Sequence, residues 1–247
     1  MTIDVEDLTK RYNGTFTLSI PALHIASGQS VGLVGNNGAG KTTFLRLMLD
    51  LLQPDTGVIR IGGQAVAQHM DWKHHTGSFL DDSFLVDFLT ADEFLAFTGS
   101  VYGMAGDEIT DALQPYRSFY TDERLGETTK YLRDLSRGNR QKAGLIAAMF
   151  TQPRLLVLDE PFASLDPRSQ IQLKHLLQRL NTVHDTTMVI SSHDLGHVTD
   201  VCERIAVIED GEIARDESTT AATLEQLRRY FARALRPEGA FPSKTAQ

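Results

Sequence analysis

The sequence predicts an α/β fold with an N-terminal antiparallel β subdomain and an inserted helical subdomain, on three observations. Short β-like runs broken by glycine turns fill the N-terminal third. After residue 138, apolar strands alternate with helices, as they do in an α/β core. Between these parts, from Thr90 to Leu135, the pattern gives helical patches and polar breaks. We expect one domain over residues 1–236, with the helical subdomain at about 88–138 and a frayed tail at 237–247.

The N-terminal third contains four predicted strands and one predicted helix. Phe44 to Leu52 places apolar residues on nearly every face, which indicates a helix inside the core. Gln53-Pro54-Asp55 ends this helix, because proline cannot continue it. The four strands are predicted at Ile3 to Leu8, Phe16 to Ile20, Ser30 to Val34 and Val58 to Ile61.

The remainder of the chain gives the elements of the helical subdomain and of the second half of the core. Asp166 and Pro167 form a good helix start, and Asp210-Gly211 is a hairpin turn. The predicted helices are Ala91 to Tyr102, Ile109 to Leu113, Asn139 to Phe150 and Pro167 to Leu180. The predicted strands are Leu155 to Leu158, Met188 to Ser191 and Arg204 to Ile208.

Composition excludes several classes of protein. An apolar fraction of 41% and a charged fraction of 23% are ordinary for a globular chain. The longest apolar stretches, such as Gly144 to Phe150, are far shorter than the roughly 20 residues that a membrane span needs, and the N-terminus lacks the pattern of a secretory signal. A net charge of −8 disfavours nucleic acid and anionic lipid as partners. We therefore expect a cytoplasmic chain with a protein partner and no nucleic acid.

The segment after the third strand fits the phosphate-loop pattern, in the required place between a strand and a helix. Its glycines allow backbone N–H groups to curl round phosphates, and the helix N-terminus adds its dipole. Lys41 is placed to reach the β and γ oxygens, and Thr42 to offer a hydroxyl to Mg²⁺. The predicted ATP-binding residues of the loop are Gly35, Asn36, Asn37, Gly38, Ala39, Gly40, Lys41, Thr42 and Thr43.

Two acids follow the apolar strand Leu155 to Leu158. They stand at its carboxyl end, where ligands of open α/β sheets bind. Asp159 is predicted to hold the metal, and Glu160 to orient the attacking water or accept its proton.

With these motifs the chain resembles the ABC ATPase family over nearly its whole length. The stretch from Leu135 to Gln141 reads LSRGNRQ and is similar to the family's signature, usually written LSGGQ, just before the acidic strand. Ser164-Leu165-Asp166 resembles its D-loop, and His193 stands in the place of its switch histidine. Tyr12 stands where the family has an aromatic that stacks on adenine, although it could equally pack on a strand edge. The resemblance implies a RecA-like P-loop NTPase core with an ABC-type helical subdomain, and a catalytic role for His193.

The sequence departs from the family pattern at three positions. Arg137 and Asn139 replace a glycine and a glutamine of the signature, whereas Ser136 and Gly138 remain. The resemblance implies that Ser136, Arg137, Gly138 and Asn139 contact the ATP held by a second subunit. Asp81 most nearly matches the glutamine that joins the family's core to the helical subdomain. It could ligate Mg²⁺ directly or through water, or it could be a solvated loop acid.

The resemblance also implies partners. Two copies, or this chain and a homologous ATPase, would enclose two ATP molecules with Mg²⁺ and drive an integral membrane subunit on another chain. The ATPase would then lie on the inner face of the cell membrane. Phe84 to Thr90 and Ser136 to Lys142 look most like bacterial ABC-2 type exporters. The alternative is an ATPase of an assembly machinery, such as iron–sulfur cluster biogenesis, with no membrane partner.

The surface that receives the membrane subunit is expected around Asp81 to Thr90. This stretch interleaves acids with apolar residues, which suits a helix with an apolar anchor and basic flanks. Since some of its aromatic residues must belong to the core, only one or two of them are expected to be exposed.

Overall fold

The computed structural model describes residues 1–12, 14 and 16–234, and it confirms the predicted α/β class. The predicted tail at 237–247 lies outside these residues. The strands are β1 (Ile3–Tyr12), β2 (Phe16–Ile25), β3 (Ser30–Val34), β4 (Thr56–Ile61), β5 (Gln64–Ala65), β6 (Thr76–Phe79), β7 (Leu155–Asp159), β8 (Thr187–Ser192), β9 (Arg204–Glu209) and β10 (Glu212–Ser218). The helices are α1 (Lys41–Met48), α2 (Ala91–Val101), α3 (Gly106–Leu113), α4 (Arg137–Met149), α5 (Pro167–His184), α6 (Leu195–Val201) and α7 (Thr223–Ala234).

Two sheets form the core. A four-stranded antiparallel sheet has the order β2-β1-β4-β5, which is the predicted N-terminal β subdomain. A six-stranded sheet has the order β10-β9-β3-β8-β7-β6, in which β9, β3, β8, β7 and β6 are parallel and β10 joins antiparallel. Every residue of β3 and β7 is buried, so both faces of these strands are covered by other parts of the chain.

The register of the large sheet assembles the functional edge. Val34 at the end of β3 pairs with Ser192, and Asp159 at the end of β7 pairs with Ser191. Because parallel strands end at the same edge, the phosphate loop after Val34 and the acids of β7 must meet there.

The helical subdomain lies between β6 and β7. The described residues 91–136 form helices and turns without a strand, and an isolated bridge between Thr90 and Tyr131 closes the base of the insertion. Its interior is continuous with the core, since Phe94, Ile109 and Phe119 share one apolar cluster with Phe150, the residue directly after α4.

The structure corrects the sequence prediction in several places. Helix α1 ends at Met48 rather than at Leu52, and Asp50 adopts the left-handed conformation with φ 56°. Strand β6 was not predicted, because Thr76–Phe79 lacks an apolar run; it forms the edge strand beside β7. Glycine at position 77 is required there, since a Cβ would lie 1.9 Å from the carbonyl oxygen of Ala148. Helices α6 and α7 were also not predicted.

Candidate active site

The phosphate loop connects β3 to α1 through glycines that no other residue could replace without strain. Gly38 and Gly40 have φ values of 85° and 112°, in the region that disfavours side chains. A Cβ on Gly35 would lie 2.2 Å from the carbonyl oxygen of Ile208. Helix α1 begins at Lys41 directly after Gly40, so its free N–H groups and dipole face the loop, which suits an anion.

Lys41 lies under the loop with only 6% of its surface exposed. Its Nζ donates hydrogen bonds to the carbonyl oxygens of Gly35 at 2.6 Å and Asn36 at 3.2 Å. Burial lowers the pKa of the Lys41 ammonium group, and the negative charges of Glu160 and Asp159 oppose this shift. An ammonium group held against the loop in this way is available to phosphate oxygens.

Asp159 is held by two hydroxyl groups. Thr42 Oγ1 donates to Asp159 Oδ2 at 2.6 Å, and Ser191 Oγ donates to Asp159 Oδ1. The Thr42 hydroxyl and the Asp159 carboxylate therefore lie side by side, where a small divalent cation could reach both. Hydroxyl, carboxylate and phosphate oxygens are the ligands that Mg²⁺ prefers, so these residues fit the metal that the sequence predicts.

Glu160 has a fixed, left-handed backbone with φ 47°. Its N–H donates to Ser191 Oγ at 3.0 Å, and its carbonyl oxygen accepts a bond from Gln141 Nε2 at 3.2 Å. Its side chain meets His193, with 2.8 Å between Oε2 and Nδ1, and Oε1 lies 3.9 Å from Lys41 Nζ. The structure thus brings together Glu160 and His193, which the sequence predicted separately.

A cleft of about 290 Å³ runs from the two acids to the aromatic end of the site. Tyr12, the last residue of β1, borders it with 40% of its surface exposed. Phe16, the first residue of β2, lies with its ring centre 6.3 Å from that of Tyr12 and also borders the cleft. Sequence reasoning missed Phe16, although it faces Tyr12 across the β1–β2 hairpin.

Asp81 borders a second cleft together with Asp159 and Glu160. Its carboxylate accepts the Ser83 N–H at 2.8 Å and lies 3.7 Å from Arg46 of α1. The acid therefore faces the predicted metal end of the site and also has a cationic neighbour.

The predicted signature turn starts α4. Ser136 caps the helix by accepting the Asn139 N–H at 3.4 Å, and it is exposed. A Cβ on Gly138 would lie 2.9 Å from the Ser164 carbonyl oxygen, so the turn packs on the predicted D-loop. Among the described residues, the cleft that holds the phosphate loop is bordered by none of the four signature residues. Arg137 borders the second cleft, beside Glu160.

The comparisons with known proteins agree with this geometry. The family model described as ABC transporter matches residues 18–163. The bacitracin transport ATP-binding protein BcrA of Enterococcus faecalis is 30% identical over 87% of this chain and 68% of its own length. The aliphatic sulfonates import ATP-binding protein SsuB of Pseudomonas putida is 34% identical over 78% of this chain and 68% of its own. The dimeric bacterial ABC transporter cassette MJ0796 superposes with a TM-score of 0.78 at 25% identity, over 89% of this chain and 99% of its own.

The fold and the site define a nucleotide-binding ATPase with a phosphate loop facing two acids. The chain belongs to the ABC transporter family, as its ATP-binding and ATP-hydrolysing subunit. No helix within residues 1–12, 14 and 16–234 combines the length and the apolar character that crossing a membrane requires.

Proposed function

We propose that this chain forms an ATP-driven dimer, with itself or with a homologous ATPase, and uses it to energise export through a separate membrane-spanning subunit. Dimeric cassettes are known in the family. The observation that carries the proposal is the placement of the exposed Ser136 turn, which does not border the phosphate cleft among the described residues. A turn that contacts ATP from that position must contact the ATP of another subunit.

Within one site, each residue has a distinct task. The loop from Gly35 to Gly40 and Lys41 bind the phosphates, and Tyr12 with Phe16 provides the aromatic surface for adenine. Thr42 and Asp159 would hold Mg²⁺, which when bound would neutralise charge on the phosphate oxygens.

Glu160 orients the attacking water and accepts its proton. His193 keeps the Glu160 carboxylate in place through the 2.8 Å contact. Asp81 borders the same cleft as Asp159 and Glu160, so its carboxylate would be a further group available to Mg²⁺ there.

The dimer is tested with a Glu160→Gln chain, in which ATP binds without turnover. Light scattering should give the monomer mass without nucleotide and the dimer mass with ATP and Mg²⁺. Ser136→Ala and Gly138→Ala in the same background should weaken this dimer. One unchanging mass under both conditions, with this chain and with any co-encoded ATPase, would contradict the proposal.

The membrane subunit is proposed to dock on the stretch from Asp81 to Thr90. Phe84 and Phe88 are exposed by 49% and 67%, whereas Phe79, Leu85 and Phe94 are buried. The expectation that only one or two aromatics of this region are exposed is thereby confirmed. Asp82 and Asp87 flank them, so the surface offers an apolar anchor point with acidic neighbours.

Phe88→Glu tests this surface. It should abolish ATP-dependent transport in proteoliposomes that hold the co-purified membrane subunit, because a charge replaces the anchor. The ATPase activity of the isolated chain should stay within about twofold, since Phe88 borders neither cleft among the described residues. Val183→Glu is a matched control, because Val183 on α5 is similarly exposed at 65%. Equal transport by the Phe88→Glu chain would place docking elsewhere.

The direction of transport is tested with the same vesicles. Export predicts that external ATP drives uptake of the cargo into vesicles whose ATPase faces outward. Relatives named for import and the bacitracin relative share this cassette, so the proposed direction rests on the likeness of Phe84 to Thr90 and of Ser136 to Lys142 to exporters. Efflux from such vesicles would refute it, and purification from native membranes without any membrane protein would favour the assembly-machinery alternative.

A further inference from the structure

Arg140, in the first turn of α4, links that helix to two acids of a distant segment. Its Nη2 donates a hydrogen bond to Asp87 Oδ1 at 2.9 Å, and its Nε lies 3.6 Å from Asp82 Oδ2. The Arg140 side chain is only 20% exposed, so its charge is largely withdrawn from water. A guanidinium cannot lose its proton, so it stays charged when it is withdrawn from water. The Arg140 charge must therefore be compensated by its carboxylate partners.

The two acids belong to what we term the junction segment, Asp81 to Asp87. It begins with the carboxylate that borders the cleft of Asp159 and Glu160, and it ends beside the exposed Phe88. The segment therefore forms part of the proposed docking surface and also reaches the hydrolysis site through Asp81.

A backbone link already ties this region to the chain that enters the signature turn. The Arg133 N–H donates to the Asp87 carbonyl oxygen at 3.2 Å, and the Leu132 N–H donates to that of Leu89 at 2.8 Å. These bonds hold the residues before Ser136. Arg140 adds a charged link from the residues after Ser136, so the turn is attached on both sides.

The second contact of Arg140 is incomplete. Within the part of the chain that the structure describes, Arg140 Nε is buried without a hydrogen-bond partner, 3.6 Å from the nearest Asp82 oxygen. A movement of roughly half an ångström would close this distance to a normal hydrogen bond. The planar guanidinium can then hold the two acids through two different nitrogens in a fixed geometry, whereas a lysine offers a single nitrogen.

We propose that Arg140 is a positioning residue that couples displacement of the junction segment to the placement of the Ser136 turn. A membrane subunit that moves the junction segment would move Arg140, and with it the first turn of α4. This inference rests on the proposed function, in which the Ser136 turn binds the ATP of the other subunit.

A double-mutant cycle in the Glu160→Gln background tests the coupling, with the dissociation constant of the ATP-bound dimer as readout. Arg140→Gln should weaken the dimer about five- to tenfold, the range of a good, partly buried charged pair. Asp87→Ala should weaken it less, and the double variant should be no weaker than Arg140→Gln alone, because both changes remove the same contact. Arg140→Lys should restore part of the loss.

ATP affinity of the monomer separates positioning from general damage. Arg140 borders neither described cleft, so Arg140→Gln should bind ATP within about twofold of the parent. Arg133→Gln is the matched control, because its side chain is 55% exposed and pairs only loosely with Asp134, at 3.9 Å. It should leave the dimer unchanged. Dimerisation of Arg140→Gln equal to the parent, fully additive effects in the cycle, or a parallel loss of ATP affinity would each overturn the inference.

A second measurement distinguishes failure of the inference from failure of the proposed dimer. If the Glu160→Gln parent does not dimerise with ATP, the proposed function is wrong and dimerisation can no longer serve as the readout. Hydrogen exchange of residues 82–90 in the nucleotide-free chain then tests whether Arg140 holds the junction segment. Arg140→Gln should speed exchange there about threefold or more, and Arg133→Gln should not. Equal exchange in the two variants would show that Arg140 does not hold the junction segment, which would refute the inference.

Discussion

Replacing Glu160 by glutamine changes two quantities in opposite directions. The carboxylate lies 3.9 Å from Lys41 Nζ, with Glu160 27% exposed. At an effective dielectric constant of about 20 the attraction between these charges is about 4 kcal/mol, and solvent at the exposed side reduces it. Removing the negative charge leaves Lys41 freer to interact with phosphates. ATP should therefore bind more tightly, by about tenfold at most, which is about 1.4 kcal/mol.

The same substitution should nearly abolish hydrolysis. An amide preserves the shape of the side chain and can keep a contact with His193, but it cannot accept a proton from water. Loss of a general base typically lowers the rate by about 10²- to 10⁴-fold, which corresponds to about 3 to 5 kcal/mol of activation free energy. The rate of a single turnover, measured by quench flow with the chain in excess over ATP, separates the chemical step from nucleotide binding and product release.

Glu127→Gln is the matched control for this prediction. It makes the same chemical change at a side chain that is 67% exposed in the helical subdomain. It should hydrolyse ATP at the wild-type rate. A Glu160→Gln chain that turns over within about threefold of wild type would refute the assignment of Glu160 as the base, whatever its affinity for ATP.

Substitutions of Lys41, Ser191 and Gly77 separate phosphate binding, positioning of the acids and packing of the fold. Lys41→Ala should weaken ATP binding about 10- to 100-fold in calorimetry, because it removes the charged donor under the loop; unchanged affinity would contradict this. Ser191→Ala should lower kcat about tenfold with ATP affinity within about twofold, because one hydroxyl holds both acids of the site; equal losses in both quantities would argue against a positioning role. Gly77→Ala should cost about 1 to 3 kcal/mol in urea unfolding, because its Cβ would overlap a carbonyl of α4. Gly106→Ala is its control, since nothing lies within 4 Å of a Cβ there.

Much of the site could be predicted from the sequence because its parts are local patterns. The phosphate loop needs glycines at fixed offsets between a strand and a helix, and both flanking elements have clear apolar patterns. Asp159 and Glu160 follow a run of four apolar residues, so their place at a sheet edge was also foreseeable. These predictions required no knowledge of which strands pair.

What remained unpredicted depends on contacts between distant parts of the chain. Strand β6 exists because β7 offers it a free edge, and its own residues give little β signal. The pairing of Asp81 with Arg46 joins residues far apart in sequence, and so does the approach of the Phe16 ring to Gly40, where a Cβ would lie 3.0 Å from it.

The start of α4 connects the predicted signature turn to three other parts of the chain, through which it would act on hydrolysis in the proposed function. Three consecutive side chains make these contacts. Arg140 reaches the junction segment, and Gln141 Nε2 donates to the carbonyl oxygens of Glu160 and Pro161 at 3.2 and 3.0 Å. Lys142, which is 4% exposed, donates to Thr121 of the helical subdomain at 2.8 Å and lies 3.7 Å from Asp166 at the start of α5.

These three contacts differ in burial and in length. Gln141 and Lys142 are themselves buried, so breaking the bonds of Gln141 to backbone carbonyls or of Lys142 to Thr121 would leave buried polar groups without partners. The Arg140 link is the more exposed of the three, and one of its two contacts is longer than a hydrogen bond. Arg140 can therefore shorten its second contact when the junction segment moves, which is where the proposed coupling would begin. Gln141 holds the same part of α4 to the backbone of Glu160, so a movement of the signature turn would also reach the predicted base.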